Sequence, residues 1–177
     1  MTPLKIAAGA VGAVVSFFAL GFQAPPRPPA LEAFHGVVVP GSVMSLPFGC
    51  TSFDWEPVDS DCPEGHFHSG IDLAAAAGTP VYAPFAGEVL HVGPAGGCGT
   101  HVTVRHRPGL ETLYCHLLEA SVQPGDRIGA GDRIGSVGST GNSTGPHLHL
   151  EVHVNGRAVD PSPWLAQPPA DDQGRKT

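Results

Sequence analysis

Residues 147–154 have the sequence HLHLEVHV, which is the clearest strand signal in the chain. Polar and apolar residues alternate along it without a break. Because successive side chains of a β-strand point to opposite faces, this pattern predicts a half-buried strand. The polar face of that strand carries His147, His149, Glu151 and His153. Side chains two positions apart lie about 7 Å apart along a strand, so one imidazole can bind a metal ion while its neighbour reaches the bound substrate.

Other segments predict a mostly β fold around this strand. Strands are expected over Thr100–His106 and Glu111–Leu117, with a turn at residues 107–109 between them. The segment Val81–Val92 contains a proline and a glycine, so we expect it to be bent or bulged. The sequence GDRIG occurs at 125–129 and again at 131–135, which predicts tight turns around short strands. The predicted fold is a compact antiparallel β-sheet with long loops at one end.

His116 lies in the predicted strand Glu111–Leu117. Alternation places Leu113 and Cys115 on the apolar face of this strand and Tyr114 and His116 on the other. His116 is therefore expected on a polar face, as are the two histidines of the H-x-H pair at 147 and 149.

The chain of 177 residues is expected to hold one folded domain with an extension at each end. Residues 6–22 are apolar throughout, which predicts an export signal or an uncleaved N-terminal membrane anchor within residues 1–24. A Pro-rich linker is expected over 25–45, the folded domain over 46–165 and a disordered tail over 166–177. The net charge of −7 and the lack of a basic run argue against nucleic-acid binding.

Four cysteines, Cys50, Cys62, Cys98 and Cys115, include no C-x-x-C pair. In an exported protein this favours disulfides over zinc ligands. Three pairings are open, of which Cys50–Cys62 and Cys98–Cys115 close the shortest loops. Free buried thiols are the alternative.

Three segments supply a candidate metal site: HSGID at residues 68–72, His116, and the H-x-H pair. If residues 68–72 form a strand, His68 and Asp72 share a face, and Gly70 between them leaves room for an ion. A catalytic zinc takes three protein ligands and keeps a position for water, and two imidazoles with one carboxylate are a suitable set. Because Asp72 supplies a single negative charge, the site stays net positive and can polarise a carbonyl group.

Four segments resemble the lysostaphin-like peptidases, also called M23 or LytM-type metallopeptidases, in that family's order. They are HSGID at 68–72, GTPVYA at 78–83, LYCHL at 113–117 and GSTGNSTGPHLHLE at 138–151. The resemblance runs from about Leu46 to Leu165. It implies a compact, mostly antiparallel β domain with a substrate groove and one zinc ion. It also implies an endopeptidase that hydrolyses bacterial peptidoglycan, in its cross-links or its stem peptides.

The resemblance extends to single residues. His68, Asp72 and His149 stand at the positions of the zinc ligands, and His116 and His147 at those of the catalytic histidines. No position of this set is missing. The complete set disfavours the alternative of a non-catalytic peptidoglycan-binding or amidase-activating protein of the same fold. A peptidoglycan substrate implies an exported protein of the cell envelope, whether secreted, periplasmic or membrane-anchored.

The other signals are less specific. Glu151 is expected either to support His149 or to be a plain solvated carboxylate. Surface positions are expected for five further histidines: His35, His91, His101, His106 and His153. The glycine-rich repeat is similar to biotinyl and lipoyl carrier domains, but those need an exposed lysine. The only lysines, Lys5 and Lys176, lie outside the predicted domain, which excludes that function.

Overall fold

The part of the chain that the computed structural model describes, residues 37–165, is built almost entirely from β-strands. Within it thirteen strands are numbered along the chain: β1 (Val43–Leu46), β2 (Gly49–Thr51), β3 (His66–His68), β4 (Ile71–Ala74), β5 (Pro80–Tyr82), β6 (Gly87–Ala95), β7 (Gly99–Arg107), β8 (Leu110–Cys115), β9 (Leu117–Ala120), β10 (Arg127–Ile128), β11 (Arg133–Val137), β12 (His147–Val154) and β13 (Arg157–Val159). The helical segments there are a 3₁₀ turn over Gly96–Cys98 and the short helix α1 (Ser162–Leu165). The predicted fold class is confirmed.

The N-terminal boundary of the folded part lies earlier than residue 46. The predicted signal or anchor, the linker up to residue 36 and the tail at 166–177 lie outside the described residues. Residues 37–45, by contrast, pack on the domain, because Val38 and Val39 are buried in the core and β1 pairs with β4 from Val43 onward. Burial of these apolar side chains stabilises a segment that composition alone assigned to the linker. Residues 37–165 contain no helix long and apolar enough to cross a membrane.

Antiparallel pairing joins the strands into one large sheet and two small ones. The large sheet has eight strands in the order β1-β4-β12-β8-β7-β6-β10, with β13 also paired to β12. The small sheets are β5-β11-β9 and β2-β3. The segment 81–92, expected to be bent or bulged, is both divided into two strands and irregular in register between Val89 and His91. Pro84 lies in a break that separates β5 of the small sheet from β6 of the large one.

The strand β12 confirms the alternation predicted for residues 147–154. Leu148, Leu150 and Val152 are fully buried on its core face. On the other face, pairing with β4 places His149 opposite Asp72, and pairing with β8 places His149 opposite Cys115. Because neighbouring strands lie about 4.8 Å apart, residues distant in sequence meet beside His149.

The faces of β8 are the reverse of those predicted. Tyr114 is fully buried in the core, where the Thr112 hydroxyl donates a hydrogen bond to its phenol oxygen at 3.0 Å. Leu113 and Cys115 instead line a cleft on the open face of the sheet. His116 reaches the same cleft because its backbone is left-handed, with φ at 61°, which interrupts the alternation after β8.

Both shortest loop closures form disulfides, Cys50–Cys62 and Cys98–Cys115. The first closes a loop between β2 and β3. The second ties the 3₁₀ turn to the end of β8, one residue before His116. Each bond therefore restrains a segment next to the open face of the sheet.

Two histidines expected at the surface are held inside the fold. His101 is only 6% exposed and stacks on the exposed His91 of the next strand, with ring centroids 4.6 Å apart. His106 is partly buried, and its ring nitrogens contact the Ala86 carbonyl and the Thr112 hydroxyl, both at 2.8 Å. Both lie on β7, which has a neighbouring strand on each side. His35 lies outside the described residues.

Candidate metal centre

The three predicted metal ligands converge where β3, β4 and β12 meet. The Nε2 atom of His68 lies 3.1 Å from Oδ1 of Asp72 and 2.9 Å from Nδ1 of His149. The Asp72 Oδ1 and His149 Nδ1 atoms are 2.9 Å apart, and all three residues are buried. His68 ends β3 and Asp72 lies in β4, so residues 68–72 are not one continuous strand. The break between the two strands folds both side chains onto β12.

Each imidazole of this cluster has its second nitrogen engaged on the far side of the ring. His68 Nδ1 lies 2.8 Å from the carbonyl oxygen of Pro47, and His149 Nε2 lies 3.0 Å from Oε1 of Glu151. When these nitrogens donate, the other nitrogen of each ring presents a lone pair to the cluster. Outer hydrogen bonds of this kind fix the tautomer and orientation of metal-binding histidines.

The donor set fits a divalent cation. Two imidazole lone pairs and a carboxylate oxygen meet at one point, and that arrangement favours a positive charge between them, supplied by a proton or a metal ion. Burial lowers the pKa of His149, but Asp72 and Glu151 outweigh burial and raise that pKa to about 9. Burial would raise the pKa of Asp72, yet His149 and His68 hold it well below its usual range. Two nitrogens and one carboxylate oxygen are the ligands typical of catalytic zinc.

His116 and His147 lie together beside this cluster, with ring centroids 4.7 Å apart. The Nδ1 atom of His116 lies 2.8 Å from the Thr140 carbonyl oxygen, and that of His147 lies 2.8 Å from the Gly145 carbonyl oxygen. Donation to these carbonyls leaves Nε2 of both rings for other partners, and His147 Nε2 is 3.6 Å from Asp72 Oδ1. Burial lowers the pKa of His116 more than its hydrogen bond raises it.

Glu151 is not a plain solvated carboxylate. It accepts hydrogen bonds from the Ser69 hydroxyl at 2.7 Å, from His149 at 3.0 Å and from His153. Burial would raise the pKa of Glu151, but these three bonds hold it below its usual range. His153, expected to be a surface bystander, is partly buried, and its bond to Glu151 raises the pKa of His153. The polar face of β12 is thus a hydrogen-bonded chain that ends on a candidate ligand.

Gly70 leaves space for the backbone and the imidazole of β12, whereas the sequence suggested that it leaves space for an ion. A Cβ atom at this position would lie 2.5 Å from the Leu150 carbonyl oxygen and 2.9 Å from His149 Nε2. Contacts this short are accommodated only if the strand or the ring moves. The missing side chain therefore makes space for the His149 imidazole and the β12 backbone.

Replacing Gly70 with alanine is expected to weaken metal binding about 10- to 100-fold, because the added methyl group pushes His149 away from its outer partner. The free energy of unfolding is expected to fall by about 1–3 kcal/mol through overpacking. Metal-competition titration and urea unfolding measure the two effects. Gly129→Ala is the matched control, since its Cβ would meet only ordinary contacts of 3.5 Å or longer. Equal metal affinities in the two variants would contradict the expectation.

The cluster opens into a cleft of about 540 Å³ on the open face of the large sheet. Four predicted site residues line this cleft: Asp72, His116, His147 and His149. One wall is the loop closed by Cys50–Cys62, and the other is the loop over residues 139–146. The cleft thus gives an extended ligand access to the candidate metal site and to both further histidines.

Sequence reasoning missed several groups of this site. The carbonyls of Pro47 and Thr140 orient His68 and His116, but backbone groups leave no trace in a sequence pattern. Glu56 also lines the cleft, on the loop closed by Cys50–Cys62. Its only signal was its position between two cysteines that close a short loop.

The family model described as Peptidase family M23 matches residues 66–161, more than half of the chain. The DD-carboxypeptidase/endopeptidase Mpg of Neisseria meningitidis is 51% identical over 94 residues, which cover 53% of this chain and 22% of that protein. The peptidoglycan DD-endopeptidase ShyA of Vibrio cholerae is 41% identical over 93 residues, which cover 52% of this chain and 22% of that protein. The match thus spans about a fifth of the length of these curated relatives.

Solved structures share the fold. The catalytic domain of lysostaphin from Staphylococcus simulans has a TM-score of 0.60 and 32% identity, covering 71% of this chain and 93% of that domain. A zinc-containing peptidase from Vibrio cholerae has a TM-score of 0.61 and 30% identity, covering 73% of this chain and 39% of that one. The antiparallel domain expected from the sequence resemblance is therefore confirmed.

Proposed function

We propose that this chain, which belongs to peptidase family M23, is a zinc-dependent endopeptidase that hydrolyses peptide bonds of bacterial peptidoglycan. The observation that carries the proposal is the convergence of three ligand atoms, on His68, Asp72 and His149, within 3.1 Å of one another beside the His116–His147 pair. The names of the two relatives above favour the D,D cross-link as the bond cleaved.

In this proposal His68, Asp72 and His149 hold one zinc ion. When bound there, the ion would polarise the scissile carbonyl as a Lewis acid and lower the pKa of its bound water to about 7. The outer bonds of the two ligand histidines, to Pro47 and Glu151, orient both rings so that one nitrogen of each faces the metal position, where an ion would take the place of a proton.

His116 and His147 accept and donate protons during the reaction. Because Nδ1 of His116 and of His147 is engaged by a backbone carbonyl, each ring turns Nε2 to the reacting groups. Peptide hydrolysis needs an acceptor for the proton that water loses and a donor for the oxyanion or the leaving amine. The two Nε2 atoms supply both in a site that the cleft keeps partly shielded from solvent.

The proposal also assigns a role to each part of the chain and a location to the protein. Residues 1–24 act as an export signal or membrane anchor, residues 25–36 as a linker, and the metallopeptidase domain extends to residue 165 with a tail behind it. The protein acts in the cell envelope, where peptidoglycan lies. Two disulfides suit an oxidising compartment outside the cytoplasm.

Digestion of purified sacculi tests the proposal. Wild-type protein loaded with zinc is expected to release soluble fragments, and a chelator is expected to stop the release, with recovery on readdition of zinc. Mass spectrometry of the fragments identifies the bond. Binding to sacculi without release of any fragment, with or without zinc, would instead support the non-catalytic binding or amidase-activating alternative.

A further inference from the structure

The loop closed by Cys50–Cys62 forms one wall of the cleft. It contributes Phe53, Trp55 and Glu56 to the lining, and the two aromatic side chains are 38% and 53% exposed. The Asn142 side chain of the opposite loop donates a hydrogen bond to the Trp55 carbonyl oxygen at 3.3 Å. The Cys50–Cys62 disulfide and the Asn142–Trp55 hydrogen bond thus fix the position of this loop beside the metal centre.

Glu56 is the unpaired acid of the cleft. Among residues 37–165 three carboxylates line it, and two of these have partners: Asp72 contacts the ligand histidines, and Glu151 accepts three hydrogen bonds. Within residues 37–165 the Glu56 carboxylate has neither a hydrogen bond nor an ion pair, although the residue is partly buried. A partly buried carboxylate without a partner carries a desolvation cost that an arriving donor removes.

The surroundings of Glu56 favour a cation as that donor. Burial raises the pKa of Glu56, more than the neighbouring His68 and His149 lower it. The adjacent Trp55 offers an exposed aromatic ring, and an ammonium group is attracted both to a carboxylate and to an indole face. In the described residues no Lys or Arg side chain lines the cleft to compete for this place.

We propose that Glu56, flanked by Trp55, is a specificity-determining residue that binds a primary ammonium group of the peptide substrate beside the metal centre. This inference rests on the proposed peptidase function. It identifies the preferred substrates as peptidoglycan peptides that carry a free amine close to the scissile bond. The amine is either the α-ammonium of a peptide end or the ammonium of a side chain.

The test uses peptidoglycan peptides that differ only in their amines. One has both amines free, and others have the α-amine, the side-chain amine or both acetylated. Wild-type protein is expected to cleave one of the singly acetylated peptides with about the same kcat/KM as the peptide with both amines free. For the other singly acetylated peptide, kcat/KM is expected to be about tenfold lower because KM rises. The amine whose acetylation lowers kcat/KM is the one that Glu56 binds.

Glu56→Gln is expected to remove this preference while the zinc content stays unchanged. Glu64→Gln is the matched control, because Glu64 is exposed, does not line the cleft and changes the net charge equally. The inference is overturned if Glu56→Gln and Glu64→Gln have the same preference, if acetylation has no effect on wild type, or if Glu56→Gln loses zinc.

Calorimetric binding of the same peptides separates this inference from the proposed function. Tighter binding of a free amine by wild type than by Glu56→Gln supports the amine site even where no peptide is cleaved. Cleavage without any preference contradicts the amine site and leaves the peptidase function intact.

Discussion

Replacing His149 with alanine is expected to abolish both zinc binding and peptidoglycan hydrolysis. The variant removes one of three ligands and leaves the Asp72 carboxylate without its contact at 2.9 Å. Lewis-acid activation by a metal contributes several kcal/mol to catalysis, and each 1.4 kcal/mol corresponds to a tenfold change in rate. We therefore expect hydrolysis of sacculi to fall by about 10³-fold or more, together with loss of zinc measured by elemental analysis.

The control for this variant is His91→Ala. His91 is an exposed histidine on β6 of the same sheet, and its ring contact is with His101, not with the metal cluster. It is expected to retain both zinc and activity. Full hydrolysis by His149→Ala, or zinc binding equal to that of wild type, would show that the three-residue cluster is not the metal centre of this protein.

Replacing His116 with asparagine is expected to separate catalysis from metal binding. Its Nδ1 atom is bound to the Thr140 carbonyl, and its ring lies beside those of His147 and His149 without belonging to the ligand set, so we expect zinc to be retained. Loss of a residue that transfers protons costs about 10²- to 10⁴-fold in rate. Asparagine is preferred to alanine because His116 has φ at 61°, a conformation that asparagine tolerates better than most residues.

Three measurements on His116→Asn decide the matter: the rate of fragment release, the zinc content and the urea unfolding midpoint. A lost rate with one zinc per chain and an unchanged midpoint supports a direct role in the reaction. A variant that keeps full activity would exclude His116 from the proton transfers, and loss of zinc would mean that it acts through the metal cluster instead.

The sequence predicted which residues form the site better than it predicted how their strands face and contact one another. Strand β12 was predictable because alternation at 147–154 is local and both of its faces have a clear chemical character. The faces of β8 were not, because Tyr114 is buried with a hydrogen-bonded phenol, and the backbone turns over at His116. Periodicity assumes a regular backbone, and it fails where one residue adopts a left-handed conformation.

Long-range contacts account for the remaining differences. Gly70 suggested room for an ion, whereas it is the approach of Leu150 and His149 from another strand that requires a glycine. Glu151 accepts hydrogen bonds from Ser69 and His153, and no local sequence pattern predicts these two contacts. Glu56 reaches the cleft only because a disulfide folds its loop over the sheet. Each of these features depends on how separate segments pack, which a single sequence does not record locally.

The placement of the Cys50–Cys62 bond has a consequence for how such a domain can diversify. The Cα atoms of the two cysteines are 5.3 Å apart, so the intervening segment begins and ends at nearly one point. The metal cluster stands on strands outside that segment. A segment of another length and composition between the two cysteines can therefore reshape one wall of the cleft without replacing the strands that carry the cluster, which makes this loop the natural place for evolution or design to change the ligands that the cleft accepts.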